Sequence, residues 1–300
     1  MKNGLIALLL IVPMVFSSCL GSTESEPDPL APGVAIYSGG ETRHKLALLP
    51  TDVALRLAII LAEADKQGLP EEEWLNVTNS NNVPLTDLLL SRYAIYRHEG
   101  TKYTIQFPEE EVNDYFGSYS GRVIVETNGQ LLGDDTAMWT VTQEDLRVNV
   151  NTGFSLVPYS YDNGGETTIT ENGSFYRIIV GRFNLTTSNW NLLNDWNADY
   201  DLTPGTSSLA YSDCNGAQFR LYGGGRDKEV SWDMSNVMYK GVEVSAAYTD
   251  YIYGQLQSGT IEASLLGNYD VETYPSPNVR VIWSNDGKSY QIYYNGLVSQ

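Results

Sequence analysis

Four polar residues stand at every second position in "NDWNADYDLTPGT", residues 194–206: Asp195, Asn197, Asp199 and Asp201. Side-chain oxygens at that spacing open an oxygen-ligand calcium loop. The rest of that pattern departs. Tyr200 stands sixth, where the sharp turn uses Gly, and Thr206 stands twelfth, where a bidentate Glu belongs. The same spacing is also strand spacing, with Trp196, Ala198, Tyr200 and Leu202 turned inward. On a regular strand alternate residues are ~6.6 Å apart, whereas calcium holds its oxygens at about 2.3–2.6 Å, so binding needs the strand to curl. A solvated strand face is the favoured reading. Asp and Asn are poor strand formers, which keeps Ca2+ as the alternative. No other cofactor is expected.

Aromatic residues with polar tips form the second chemical resource: 21 Tyr and 6 Trp against 7 Phe. Such rings stack on sugars, and they equally make cross-strand pairs on a sheet with one wet face. Trp190 and Trp196 are six apart, and Tyr251 and Tyr253 two apart, so each pair shares a strand face. Packing is the commoner fate of such pairs. Together they form a candidate ligand-binding surface, because exposed aromatic patches mark interaction sites. The two histidines, His44 and His98, lack a local catalytic partner motif. The chain has no G-x-S-x-G elbow, no H-E-x-x-H and no cysteine cluster with zinc spacing. "GGGRD", residues 223–227, leads into a strand-like run rather than a phosphate-binding helix. No catalytic residue is assigned.

The N-terminus carries the clearest signal. Lys2, the apolar run Leu5–Phe16, and then Ser17-Ser18-Cys19 follow the plan of a secretory signal, and the run is too short to span a membrane. Phe16-Ser17-Ser18-Cys19 resembles a bacterial lipobox, with Phe16 in the place usually held by Leu. The resemblance implies cleavage before Cys19 and acylation of Cys19, palmitate-type chains then anchoring the protein in the outer membrane. Glu24, Glu26 and Asp28 follow. That acidic stretch resembles the one in surface-exported lipoproteins of Bacteroidota, so the location is surface-exposed or periplasmic. Residues 1–18 are then signal peptide and 19–33 a flexible acidic tether, too polar and proline-rich to fold by itself. An acylated Cys19 cannot form a disulfide with Cys214, which is left a lone thiol.

Net charge is −19, and −20 once the signal bearing Lys2 is gone. A chain so acidic repels nucleic acid and anionic head groups, so its membrane contact rests on the acyl anchor.

Residues 34–300 are expected to form one β-rich domain. Helical segments are predicted near 51–67, where Thr51 or Asp52 caps and Gly68 and Pro70 stop, and near 86–91. The first is apolar on more than one side and reads as a buried core helix. From Arg92 the period changes to two. "RYAIYR" and "KYTIQF" flank a turn at 98–101, and four Asn-Gly or Asp-Gly pairs signal further hairpins: Asn128-Gly129, Asn172-Gly173, Asn215-Gly216 and Asp286-Gly287. Other strands are predicted at Met138–Thr142, Val230–Asp233, Val242–Ala247, Thr260–Leu265 and Val271–Tyr274. The fold class is mainly β, an antiparallel hairpin-rich sandwich or curved meander. The function expected is that of a non-catalytic envelope lipoprotein binding glycan or protein. The alternatives are an assembly subunit of an envelope or pilus-type structure and, third, a glycoside hydrolase with two carboxylates ~5–9.5 Å apart.

Overall fold

The computed structural model describes residues 28–299 except 114–116, 152–155, 163–164, 173–174, 188–195, 203–207, 222–227, 246–247, 268–270 and 284–289. Of these described residues, those falling within 109–117, 151–157, 171–176, 181–229 and 234–258, together with 43, 45, 71, 72, 119 and 162, are described by their backbone alone. Cys19, Trp190, Asp195 and Asp286-Gly287 lie outside the described residues.

One long helix, α1 (Ala31–Lys66), precedes the strands. It starts some twenty residues before the predicted segment. Its first twenty residues hold Gly39, Gly40 and Pro50, each unfavourable in a helix interior. Tertiary contacts reverse the preference. A Cβ on Gly40 would stand 2.2 Å from Trp232 Cε3, and one on Gly33 would stand 2.8 Å from Tyr294 Cβ. These glycines let the helix backbone lie directly on aromatic rings. Pro32 falls in the first turn, where its missing N–H costs nothing. The stretch predicted as tether therefore ends at the helix, and residues 31–33 belong to the fold.

The centre of α1 is enclosed all round: every residue from Leu46 to Ala54 is buried. That bears out the core-helix reading. Pro50 has no N–H to give the Leu46 carbonyl, its i−4 partner. The Tyr161 hydroxyl, from the sheet, donates to that carbonyl at 2.6 Å. Burial pushes this hydroxyl's pKa well above the usual tyrosine value. One turn on, Arg56 Nε lies 2.7 Å from the buried Asp52 Oδ2. Arg56 Nη1 also donates to the Leu89 carbonyl at 2.9 Å. It thereby ties α1 to a wide helical turn, Asp87–Ser91, at the site of the second predicted helix.

Fourteen strands follow. They are β1 (Ile95–Glu99), β2 (Lys102–Asn113), β3 (Gly117–Thr127), β4 (Met138–Asn151), β5 (Leu156–Asp162), β6 (Thr167–Asn172) and β7 (Phe175–Thr187). The rest are β8 (Trp196–Leu202), β9 (Ser208–Leu221), β10 (Lys228–Ser245), β11 (Tyr248–Leu266), β12 (Asn278–Trp283), β13 (Tyr290–Tyr294) and β14 (Leu297–Val298). All pair antiparallel in one ladder ordered by sequence, except that β6 also pairs β4 and β7. The register explains the exception. Asp162 faces Asn184 of β7 and Thr167 faces Val180, so β5 and β6 are consecutive pieces of one column. The ladder is thus an unbroken up-and-down meander, and among the described residues β1 and β14 do not pair with each other.

The meander curves around α1, which packs on β3 and β4 from its first half and on β9, β11, β12 and β13 from its second. One hydrophobic cluster joins the helix to both halves, with Trp74, Trp139 and Trp232 among its most buried side chains. Gly33 lies against β13 and Gly40 against β10, three strands away. Seven residues of helix rise about 10 Å, while three strand spacings cover about 14 Å. The helix therefore crosses the strands on the concave side of the sheet and enters from the β13–β14 edge.

The turn signals divide. Glu99 faces Lys102 across Gly100-Thr101, and Asn172 faces Phe175, both tight hairpins. Asn128-Gly129 instead opens a loop of residues 128–137, held by Asn128 Oδ1 accepting from the Met138 N–H at 3.1 Å. Asn215-Gly216 lies within β9, where the register against β10 slips between Trp232 and Met234, so the pair marks a bulge. Val271–Tyr274 is turn and coil rather than strand, with Tyr274 buried.

Candidate functional site

The last four strands build a groove of about 700 Å³. The register aligns Ala263 of β11, Val279 of β12 and Tyr294 of β13 in one row, all buried toward α1. The next row aligns Glu262, Arg280, Tyr293 and, on β14, Val298. Strand alternation puts this second row on the opposite face. Ser264 and Asn278 pair two positions along on the same face. The far rim is the β13–β14 turn, Asn295-Gly296, with φ of 49° and 75°. Those two positive angles are what a two-residue primed turn demands, and Asn-Gly is the dipeptide that best supplies them.

The groove presents hydrogen-bonding groups around one aromatic ring. Arg280 Nε lies 3.5 Å from Glu262 Oε1, with side chains 55% and 64% exposed. A pair so exposed adds little to stability, under about 1 kcal/mol. Ser264 Oγ donates to Asn278 Oδ1 at 2.9 Å, and Tyr293 Oη donates to Gln291 Oε1 at 2.8 Å. The arrangement offers a flat ring, a cation, a carboxylate and an amide at one surface. These are the groups that grip a polyhydroxylated or peptide-like ligand. Among the described residues, Glu262 is the only carboxylate in the groove lining.

The sequence-predicted residues lie elsewhere. Asn197, Asp199 and Asp201 are on β8, whose backbone pairs regularly with β7: Asp201 opposite Arg177, Tyr200 opposite Ile178, Asp199 opposite Ile179 and Ala198 opposite Val180. Ile178 and Val180 are buried while Ile179 is exposed, so the acidic positions fall in register with the exposed row. Over Ala198–Leu202 the backbone has the strand form of that spacing, while Asp195 and residues 203–206 lie outside the described residues. Among the described residues no group of three or more His, Cys, Asp or Glu side chains is gathered as a metal would need. Trp196 stands opposite Phe183 on β8. Tyr251 and Tyr253 are on β11, well before the Gly259–Ser264 segment that pairs with β12 and floors the groove. The structure does not bring them to Tyr293.

Both histidines have structural settings. His44 is buried within α1. His98 stacks on Tyr103 with ring centres 4.4 Å apart, and its Nε2 hydrogen-bonds the Gly100 carbonyl. A second aromatic group, Tyr37, Trp232, Tyr290 and Trp283, fills the junction of α1 and the sheet, Tyr37 and Trp232 stacking at 6.0 Å. There the Tyr290 hydroxyl is pushed up to about 12 by burial and then by the charge of Glu41.

Sequence reading missed Tyr293, Arg280, Glu262 and Asn278. Asn295-Gly296, a further Asn-Gly pair, was the available signal. Among the described residues no helix is long and apolar enough to cross a membrane. Comparison with protein-family models, with curated proteins and with solved structures finds no match to this chain.

Proposed function

We propose that the protein is a non-catalytic, lipid-anchored binding protein of the bacterial envelope, with Cys19 as the acylated residue and the β11–β14 groove as its glycan site. One observation carries the assignment of the site: Tyr293, Arg280, Glu262, Asn278 and Ser264 stand in adjacent register on one accessible face. An aromatic face stacks on a sugar ring, and ion-paired Arg and Glu with a neighbouring amide bond its hydroxyls. The anchor rests on the order of charge, apolar run, serines and cysteine in residues 1–19, and outer-membrane residence follows from that resemblance. The test is a glycan array probed with the chain and with Tyr293→Ala. Binding to a glycan class that the variant loses supports the reading, and equal binding by both removes the groove from it.

A second reading, an assembly subunit completed by another chain's strand, is favoured by the exposed β1 edge, where Ile95 is 53% exposed. It ranks behind because Arg97 and Glu99 are also exposed on β1, and β14 is only two residues long. Charged and short edges are how sheets resist added strands. Native mass measurement of the purified chain tests it: a stable strand-exchanged oligomer or copurifying partner would raise it above the glycan reading.

A further inference from the structure

The point at which the chain enters the fold sets which end meets the membrane. Gly33, in the first turn of α1, packs on the Tyr294 ring. Tyr294 is paired with Leu297 across the Asn295-Gly296 turn. One helix-to-strand contact and one strand spacing separate Gly33 from Leu297, about 10 Å in all. The chain before α1 therefore leaves the domain beside the β13–β14 hairpin. Asp28 pins that exit: its Oδ1 accepts from the Leu30 N–H at 2.9 Å and its carbonyl from the Ala31 N–H at 3.0 Å.

From Cys19 to Asp28 is nine residues, which reach at most about 30 Å. The helix itself, 36 residues, is about 54 Å long. An anchor at Cys19 thus holds the hairpin end close to the bilayer and leaves the Lys66 end free to stand away from it. The hairpin end also carries exposed aliphatic side chains. Val298, opposite Tyr293, is 42% exposed and Leu297, opposite Tyr294, is 41% exposed. Exposed aliphatic side chains gain by burial in the interfacial zone of a bilayer.

We infer that the tip of the β13–β14 hairpin is a membrane-docking point, its Leu297 and Val298 resting on the lipid interface while the groove beyond Arg280 and Glu262 opens beside it. The inference rests on the lipid-anchor reading. The contact is apolar rather than electrostatic, since the chain carries a charge of −19. Docking therefore does not strengthen with added anionic lipid.

The experiment uses the acylated full-length protein on vesicles of phosphatidylethanolamine and phosphatidylglycerol doped with a headgroup-nitroxide lipid. In a Cys214→Ser background, a fluorophore is placed at Leu297→Cys or, as the distal comparison, at Lys66→Cys. A second proximal label at Asn295→Cys covers the case in which the first perturbs folding. The expected result is quenching at 295 and 297 several-fold above that at 66, largely unchanged when the anionic lipid is doubled. A chain that floats with the vesicles yet is quenched equally, or more, at 66 overturns the docking surface alone. A chain that does not float overturns the anchor reading and this inference with it.

Discussion

The Tyr161 hydroxyl and Pro50 answer one another, and that relation makes a quantitative prediction. Pro50 deprives the Leu46 carbonyl of its helical donor, and Tyr161 supplies another at 2.6 Å. Tyr161→Phe keeps the ring and leaves that carbonyl unpaired inside the core. An orphaned buried acceptor costs about 1–3 kcal/mol. At about 2–4 °C per kcal/mol for a domain of this size, the melting temperature falls by about 2–12 °C. In a Pro50→Ala background residue 50 has an N–H, and the helix can satisfy Leu46 itself. The same Tyr161→Phe change should then cost under about 1 kcal/mol, a coupling well beyond the ~0.5 kcal/mol scatter of independent sites. The assay is a double-mutant cycle by denaturant unfolding of the purified chain. An alkaline limb gives a second readout. Burial holds the folded-state pKa of Tyr161 above its unfolded value near 10, so above pH 10 the unfolded chain releases a proton that the folded chain keeps. This contribution is fully present below pH 10 and is lost as pH rises, at up to about 1.4 kcal/mol per pH unit. Tyr161→Phe should make the alkaline decline shallower. A cycle in which Tyr161→Phe costs the same with Pro or Ala at position 50 would refute the reasoning.

Other consequences can be checked with the same material. Gly40→Ala improves helix propensity by about 1 kcal/mol yet should destabilise by about 1–3 kcal/mol net, because its Cβ would overlap Trp232; a rise in melting temperature would mean that α1 does not lie on that ring. Arg56→Leu removes the guanidinium beside the buried Asp52 carboxylate and frees the Leu89 carbonyl, for an expected loss of about 3–5 kcal/mol by chemical denaturation. Arg280→Ala should leave stability within about 1 kcal/mol of wild type while weakening ligand binding, which separates the groove's chemistry from the fold's. Cys19→Ala should move the protein from the membrane fraction to the soluble fraction, and its retention on membranes would oppose the anchor.

The fold was legible wherever a local pattern sufficed. Alternation from Arg92 onward carries the antiparallel meander, because strand period and turn chemistry are written residue by residue. The helix boundary was not legible. The reason to keep Gly39-Gly40 and Pro50 helical lies in Trp232, Tyr294 and Tyr161, each more than a hundred residues away. The Asn-Gly pairs show the same limit. Asn172 faces Phe175 of the next strand whereas Asn215-Gly216 lies at a bulge, although the two pairs read alike in sequence. The groove is a row running across β11, β12, β13 and β14, and no window along the chain contains it. Tyr251 and Tyr253 attracted attention by their density in sequence, whereas Tyr293 gains its neighbours, Arg280 and Glu262, only through register.

The account's central claim is that the β11–β14 groove binds glycan. Its most direct test is the binding of wild type and Tyr293→Ala, side by side, to a broad glycan array, with the variant's folding verified by its melting temperature. The prediction is at least one glycan class bound by wild type and lost by the folded variant. Binding that survives Tyr293→Ala undiminished, or a wild-type chain that binds no glycan in the panel, would contradict it.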